Sequence, residues 1–315
     1  MVDPAAPGHA GRSGLAELTG TTLPERLLLL GLAQPWPADR FDPGEDTAHL
    51  GTLPPAERAQ LGRLCHLVLA GPARDPALLT PFLHTAQQAG RLADQLLLTQ
   101  LGFVHARQRC ALESWLEVTG IGEPAPDPSD EDPDARRLLH EALPGALDRL
   151  QSDADPAAEL AAVATTLLVV EGMLAAVAGQ AVVLACQVRR TAPGLRRMIT
   201  AIGHDQRRTL AWATFTCRRL VADDDRRWPQ LETLLRELTP SALAALTALA
   251  GPPGAPLLGL DGAELARTGY AHTTRRLGVI ATGRGRDPAQ LEVDDAPLAL
   301  EQRLADGDDG GEQDT

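Results

Sequence analysis

Lysine and asparagine are absent from this 315-residue chain, so all 29 of its basic residues are arginine. A GC-rich genome accounts for such a bias more readily than function does, and it carries no functional weight. Aromatic residues make up only 3%, with a single tyrosine at Tyr270. Ala and Leu are abundant instead, which disfavours a sheet of aromatic and β-branched side chains and predicts an all-α fold. Basic residues are outnumbered by 42 acidic ones, for a net charge of −13. This argues against nucleic acid as a partner, because surfaces that bind it neutralise phosphates with clustered cations. Cysteine is scarce, and Cys65, Cys110, Cys186 and Cys217 are widely spaced with no CxxC pair. Neither a zinc knuckle nor a disulfide framework is indicated, so they are expected to be small buried apolar residues in a reducing cytoplasm. The stretch "MVDPAAPGHAGRSGLAELTG" has no basic start followed by an apolar run, so it does not read as a secretory signal.

Hydrophobic residues reach 44%, enough for a sizeable core in one large domain or two small ones. Apolar residues at three- and four-residue spacing predict helices near 54–70, 76–118, 134–151, 156–188, 193–222, 227–250 and 260–282. Residues 1–50, rich in Pro, Gly and Asp, read as a loosely ordered segment, residues 51–285 as the helical domain, and residues 286–315 as an acidic disordered tail. The stretch "GIGEPAPDPSDEDPDA" reads as the clearest internal loop. Only residues 160–188 could span a bilayer by length. A central Glu, a Gln, two Thr and many Ala and Gly there favour a buried bundle helix over a transmembrane one. Several helices of 25 residues or more suit a long-helix bundle, a scaffold that places ligands on its inward faces.

Three polar interruptions of apolar helix faces mark the candidate site: "FVHARQRCALESWLEV", "LLVVEGMLAAVAG" and "IGHDQRRTLAWATFTCRRLVADDDRRW". In carboxylate-bridged dimetal bundles two helices each supply one Glu and two supply Glu-x-x-His, since an i, i+3 pair aims both ligands at one spot. That pattern is not intact here. The runs "LLLTQLGF", "VVEGMLA", "DQRRTLAWATFTCRRLVADDDRRW" and "YAHTTRRLGVI" nevertheless occur in an order that resembles the R2-like ligand-binding oxidases, relatives of the small subunit of ribonucleotide reductase. The resemblance covers about residues 53–283 and implies a ferritin-like bundle, a manganese/iron pair, a long-chain fatty acid beside the metals, reaction with oxygen, and a homodimer.

Carried over residue by residue, the resemblance places the six metal-ligand positions on Pro72, His105, Gln108, Glu171, Gln206 and Thr209. Only Glu171 matches the family's residue, and His105 is a candidate substitute ligand. The family's oxidatively cross-linked Val and Tyr fall on Asp75 and Thr166, so neither partner is present. Four Glu and two His carry about −4 before metal binds, whereas this set carries only about −1, and amides and hydroxyls are weak neutral ligands for manganese or iron. The expected function is therefore that of an oxidase homologue without a dimetal centre, a non-catalytic bundle that binds a long-chain ligand such as a fatty acid and needs no cofactor.

Two alternatives stay open at this point. One is an active oxidase with a single manganese or iron held by His105, Glu171 and a substitute such as Asp75 or Asp205; the other is a non-catalytic partner of an intact paralogue. Whether the chain is an enzyme is thus undecided by the sequence. Glu171 reads most simply as a buried carboxyl that is protonated or hydrogen-bonded to Gln108, Gln206 or His105, with an ion pair to His105 as the most concrete form of such a network, because an isolated buried charge is costly. Asp75 reads as the N-cap of a helix that begins at Pro76. Asp205, next to the Gln206 position, reads as a second-layer carboxylate that would pair with Arg207 or Arg208. Trp115, Trp212 and Trp228 are expected as core or interface anchors, and Glu113 as a solvated side chain.

Overall fold

Aspartate or threonine caps the start of several helices of this chain. Asp42, Asp132, Asp155 and Asp261 each accept a hydrogen bond from a first-turn backbone N–H, and Thr22 with Glu25 forms a reciprocal capping box. Each cap satisfies a donor that a helix start leaves unpaired, a contribution of about 1 kcal/mol. The computed structural model describes residues 20–34, 41–121, 132–251 and 256–306. In it the caps lead into α1 (Leu23–Ala33), α2 (Pro43–Leu50), α3 (Pro55–Val68), α4 (Thr80–Gln88), α5 (Leu92–Thr119), α6 (133–152), α7 (Pro156–Arg189), α8 (Pro193–Asp223), α9 (Arg227–Ala248), α10 (Gly262–Ala281) and α11 (Ala296–Asp306). Among the described residues every regular element is helical.

At 28, 34 and 31 residues, α5, α7 and α8 are each roughly 40–50 Å long. Helix α7 lies at the centre, packed against α3, α8, α9 and α10, while α5 runs against α1, α2, α4 and α8. The apolar stretch that could by length cross a bilayer is α7, and it is almost wholly buried among the other helices. Its apolar surface therefore faces protein.

The start of α8 has no local cap, and a distant carboxylate supplies one. Asp46 of α2, fully buried, accepts from the Gly194 and Leu195 N–H groups at 2.8 and 2.7 Å and from Trp115 Nε1 at 2.8 Å. A carboxylate at the positive end of a helix is electrostatically favoured, and this one ties α2, α5 and α8 together. Asp94 plays a parallel part, accepting from Trp212 Nε1 at 2.9 Å and Arg219 at 3.0 Å. Trp115 and Trp212 are thus core anchors, as expected. Trp228 is half-buried under the Arg284 guanidinium, and Glu113 is exposed and paired with Arg109.

Several expectations need correction. The single helix expected over 76–118 is broken, because the chain turns at Gly90, in the left-handed region at φ +66, between α4 and α5. The segment 1–50 is not wholly loose: α1 and α2 dock on α5 and α8, with Leu23 and Leu27 fully buried, while residues 1–19 and 35–40 lie outside the described residues. The expected tail from 286 contains a helical turn, Pro288–Leu291, and then α11, whose Leu300, Glu301 and Leu304 are buried against α8 and α10. Only residues 307–315 of it lie outside the description, as does most of the proline-rich loop, 122–131. Cys65, Cys186 and Cys217 are buried, but Cys110 is exposed on the outer side of α5.

Candidate functional site

The middle of α7, Ala164–Ala175, winds as a π-helix, so that the Ala176 N–H bonds the Glu171 carbonyl five residues back. Five residues apart on a regular helix, Thr166 and Glu171 would point about 140° apart. One turn of π-helix instead brings them onto one face. Nothing in "ATTLLVVEGMLA" announces this winding, since every one of its residues is buried and no polar face marks a period.

Glu171 meets His105 of α5, with Nε2 to Oε1 at 3.8 Å and both side chains 1% exposed. That separation is longer than a hydrogen bond. Burial pushes the Glu171 carboxyl up to about 8, with the Arg276 cation pulling the other way. Burial also pulls His105 down to about 4, opposed by its neighbours Gln108 and Asp205 and reinforced by Arg208. Near pH 7 both groups are neutral, so of the forms read from the sequence the protonated carboxyl fits and the ion pair is corrected to an uncharged pair. Desolvation outweighs an attraction acting over 3.8 Å.

Gln108 does not pair with Glu171 either; its amide donates to Asp205 Oδ2 at 3.3 Å. Asp205 is held more closely by Arg208 at 2.6 Å, three residues on in α8, and by Arg107 of α5 at 3.1 Å. It pins α5 to α8 and its charge is committed to two guanidiniums. Gln206 and Thr209 lie one turn apart on α8, both buried.

Pro72 sits buried in a 3₁₀ turn, Gly71–Ala73, packed against the π segment. Gly71 has φ +65, and a Cβ there would stand 3.1 Å from Val170. A second 3₁₀ turn, Pro76–Leu79, follows, so the two prolines interrupt the backbone where a continuous ligand-bearing helix would run. Asp75 is exposed and accepts from the Ala77 N–H at 2.9 Å. It caps that turn and does not join His105 and Glu171.

The residues present do not fit a dimetal pair. One carboxyl and one imidazole face each other, and the other four positions hold a proline, two amides and a hydroxyl, too little negative charge for two divalent cations. With Asp75 exposed and Asp205 committed to arginines, the three-ligand mononuclear set is not assembled. Among the described residues no three His, Cys, Asp or Glu side chains converge as metal ligands.

What the site does hold is unmet hydrogen-bonding capacity. Eight buried side-chain atoms have no hydrogen-bond partner: both ring nitrogens of His105, Oε1 of Gln108, Oγ1 of Thr166, both carboxyl oxygens of Glu171, Nε2 of Gln206 and Oγ1 of Thr209. Leaving such an atom unpaired costs about 1–3 kcal/mol. A cavity of about 300 Å³ is lined in part by Gln206 and walled by Ala176 and Gly179 of α7, Ile202 and Leu210 of α8, and Leu304 of α11. Small residues of α7 form one of its walls. The opposite wall is α8, α10 and α11, while Leu97, Leu98 and Leu101 of α5 are consumed in the core.

Two residues outside the sequence reading organise this wall. Arg276 of α10 forms a bidentate pair with Glu301 of α11 at 2.7 and 2.9 Å, and donates to the Gly172 carbonyl at 3.3 Å. Arg276 lies in the motif "YAHTTRRLGVI", but Glu301 is hidden in a segment whose acidic composition resembles a solvated tail. Gly172 permits the approach, since a Cβ there would meet Leu210 at 2.9 Å and Arg276 Nη1 at 3.1 Å.

No family model matches the chain. Among solved structures, it is similar to the R2-like ligand-binding oxidase from Sulfolobus acidocaldarius, at 22% identity and TM-score 0.74, over 90% of this chain and 99% of that one. Two variants of an R2-like ligand-binding oxidase are equally similar. A valine-to-alanine variant with an anaerobically reconstituted Mn/Fe cofactor matches at 22% and TM-score 0.74, and a tyrosine-to-phenylalanine variant with an aerobically reconstituted Mn/Fe cofactor at 21% and 0.73. Each of these matches covers 86% of this chain and 98% of the other. The chain is an all-α, ferritin-like helical bundle. Its particular fold is that of the R2-like ligand-binding oxidases.

Proposed function

We propose that this chain is a homologue of the R2-like ligand-binding oxidases that has dispensed with the dimetal centre and binds a long-chain ligand of the fatty-acid class without oxidising it. The observation that carries the reading is the position of Gln206. This residue stands at a ligand position of the family, contributes an unpartnered amide to the buried polar cluster, and lines the 300 Å³ cavity. That volume lies at the lower end of the range for small-molecule sites, about 300–1,000 Å³. The replacement of charged donors by neutral ones removes the electrostatic reason for two divalent cations to bind. The two oxidase variants carry Mn/Fe cofactors, so metal content separates this chain from them directly.

The test is elemental analysis and solvent extraction of the full chain purified after growth with added manganese and iron. Less than about 0.1 metal per chain is expected, since an open site of adequate ligands would retain more, together with an extractable long-chain molecule. Stoichiometric manganese or iron would overturn the metal-free reading. Absence of any extractable or bindable chain-like molecule would overturn the ligand-binding one.

A further inference from the structure

At the edge of the cavity of about 300 Å³, Arg207 of α8 stands half-buried and, among the described residues, without an ion pair. Burial pulls its guanidinium down, while Asp306 and Glu301 act the other way from beyond ion-pair distance. Arg107 and Arg208, by contrast, hold Asp205, and Arg276 holds Glu301. Arg207 also borders a recess beside Asp205, but that carboxylate is already shared by two guanidiniums. A guanidinium that has lost part of its hydration without gaining a counter-ion is prepared for an anion, and its planar fork matches a carboxylate.

The rest of the cavity is suited to a chain. Of the six polar side chains gathered around Glu171, Gln206 alone lines it, so its room lies outside that cluster. The α8 wall runs from Arg207 back through Gly203 and Ile202 to Ile199, about 12 Å of helix, and faces Gly179, Val183 and Leu184 of α7. Leu184 is 42% exposed, an apolar edge that an alkyl chain would cover. Among the ionisable lining groups Arg276 and Glu301 neutralise each other, which leaves Arg207 as the lining cation without a counter-ion. Asp306 and Glu301 lie within electrostatic reach of it, so a single negative charge is accommodated better than a doubly charged phosphate.

We infer that Arg207 is the anchor for the ligand's head group, a singly charged carboxylate, and that the ligand's apolar chain lies along the cavity between α7 and α8. This inference rests on the ligand-binding reading and adds to it the ligand's charge, the residue that reads that charge and the direction of the chain. The head group is thereby held by a side chain that is not one of the six metal-ligand positions, and the buried polar cluster around Glu171 takes no part in holding it.

The experiment is equilibrium binding at neutral pH to the delipidated full chain, with three probes of one chain length kept below their micellar concentrations: dodecanoate, dodecanol and dodecylamine. Dodecanoate is expected to bind at least tenfold more tightly than dodecanol, with dodecylamine the weakest. Equal affinities for the acid and the alcohol, or tightest binding of the amine, would overturn the anchor and leave the ligand-binding reading standing. No binding of any probe would overturn both. Arg207→Leu, which keeps the bulk and removes the charge, should weaken dodecanoate at least tenfold and leave dodecanol within twofold, and Arg207→Lys should restore part of the preference for the acid. Should Arg207→Leu not fold, Arg207→Gln is read in the same way. A preference for the acid that survives in the folded uncharged variant would refute the assignment of Arg207.

Discussion

Glu171 is the residue where burial and charge compete most directly. Its carboxyl is held protonated up to about 8, whereas the ordinary value is 4.5. The folded state therefore binds a proton that the unfolded chain releases, and stability falls as pH rises between those values. His105 acts in the opposite sense between about 4 and 6.5, where the unfolded imidazole is charged and the buried one is not, so its contribution to stability grows with pH there. The two oppose each other up to pH 6.5, and above that Glu171 acts alone. Over the 1.5 pH units to 8 this amounts to about 2 kcal/mol. Denaturant unfolding of the metal-free chain between pH 6 and 9 should thus show a decline that Glu171→Gln removes. Parallel curves for the two proteins would show that the carboxyl is ionised at neutral pH. The presence of this carboxyl was legible from one Glu in an apolar run, but its partner state was not. The sequence leaves the pairing with Gln108 or Gln206 open, and neither forms, because Gln108 is drawn to Asp205.

Helix starts were the most legible elements where Asp132, Asp155 and Asp261 give a local signal read by the next few N–H groups, although the same signal at Asp42 was hidden in a Pro- and Gly-rich segment that reads as loose. Elements set by distant partners were not. The cap on α8 comes from Asp46, which precedes it by nearly 150 residues in the chain, and the π segment is imposed by packing around α7. Helix α11 was concealed by composition: Glu301 and its acidic neighbours look solvated until Arg276 is placed opposite. That pair is 2% exposed on each side, so removing one partner leaves a buried charge, at a cost of about 3–5 kcal/mol. Glu301→Gln should accordingly lower stability by an amount of that order and speed amide hydrogen exchange across 296–306 before the rest of the bundle. If exchange there matches the wild type, α11 is held by Leu300 and Leu304 and not by the ion pair.

For the molecule as a whole, the fold class was legible because long amphipathic and apolar stretches leave few alternatives to a helical bundle, and the order of its motifs pointed to the R2-like arrangement. The surface was much less so. Leu29, Leu30 and Leu32 of α1 and Phe103 of α5 are exposed apolar side chains on two helices that pack together, with Phe103 67% exposed. Such a surface suits the homodimer that the resemblance implies. Light scattering at micromolar concentration should therefore return about twice the 33.3 kDa of one chain, and a single-chain mass would rule the dimer out under those conditions. The position of α11 has a further consequence, in the order of synthesis. The wall it gives the cavity leaves the ribosome roughly 130 residues after Glu171, on the order of ten seconds later at typical elongation rates. Until then α7, α8 and α10 present this side of the cavity bare, so a chain-like ligand would have access to it before the α11 wall is in place.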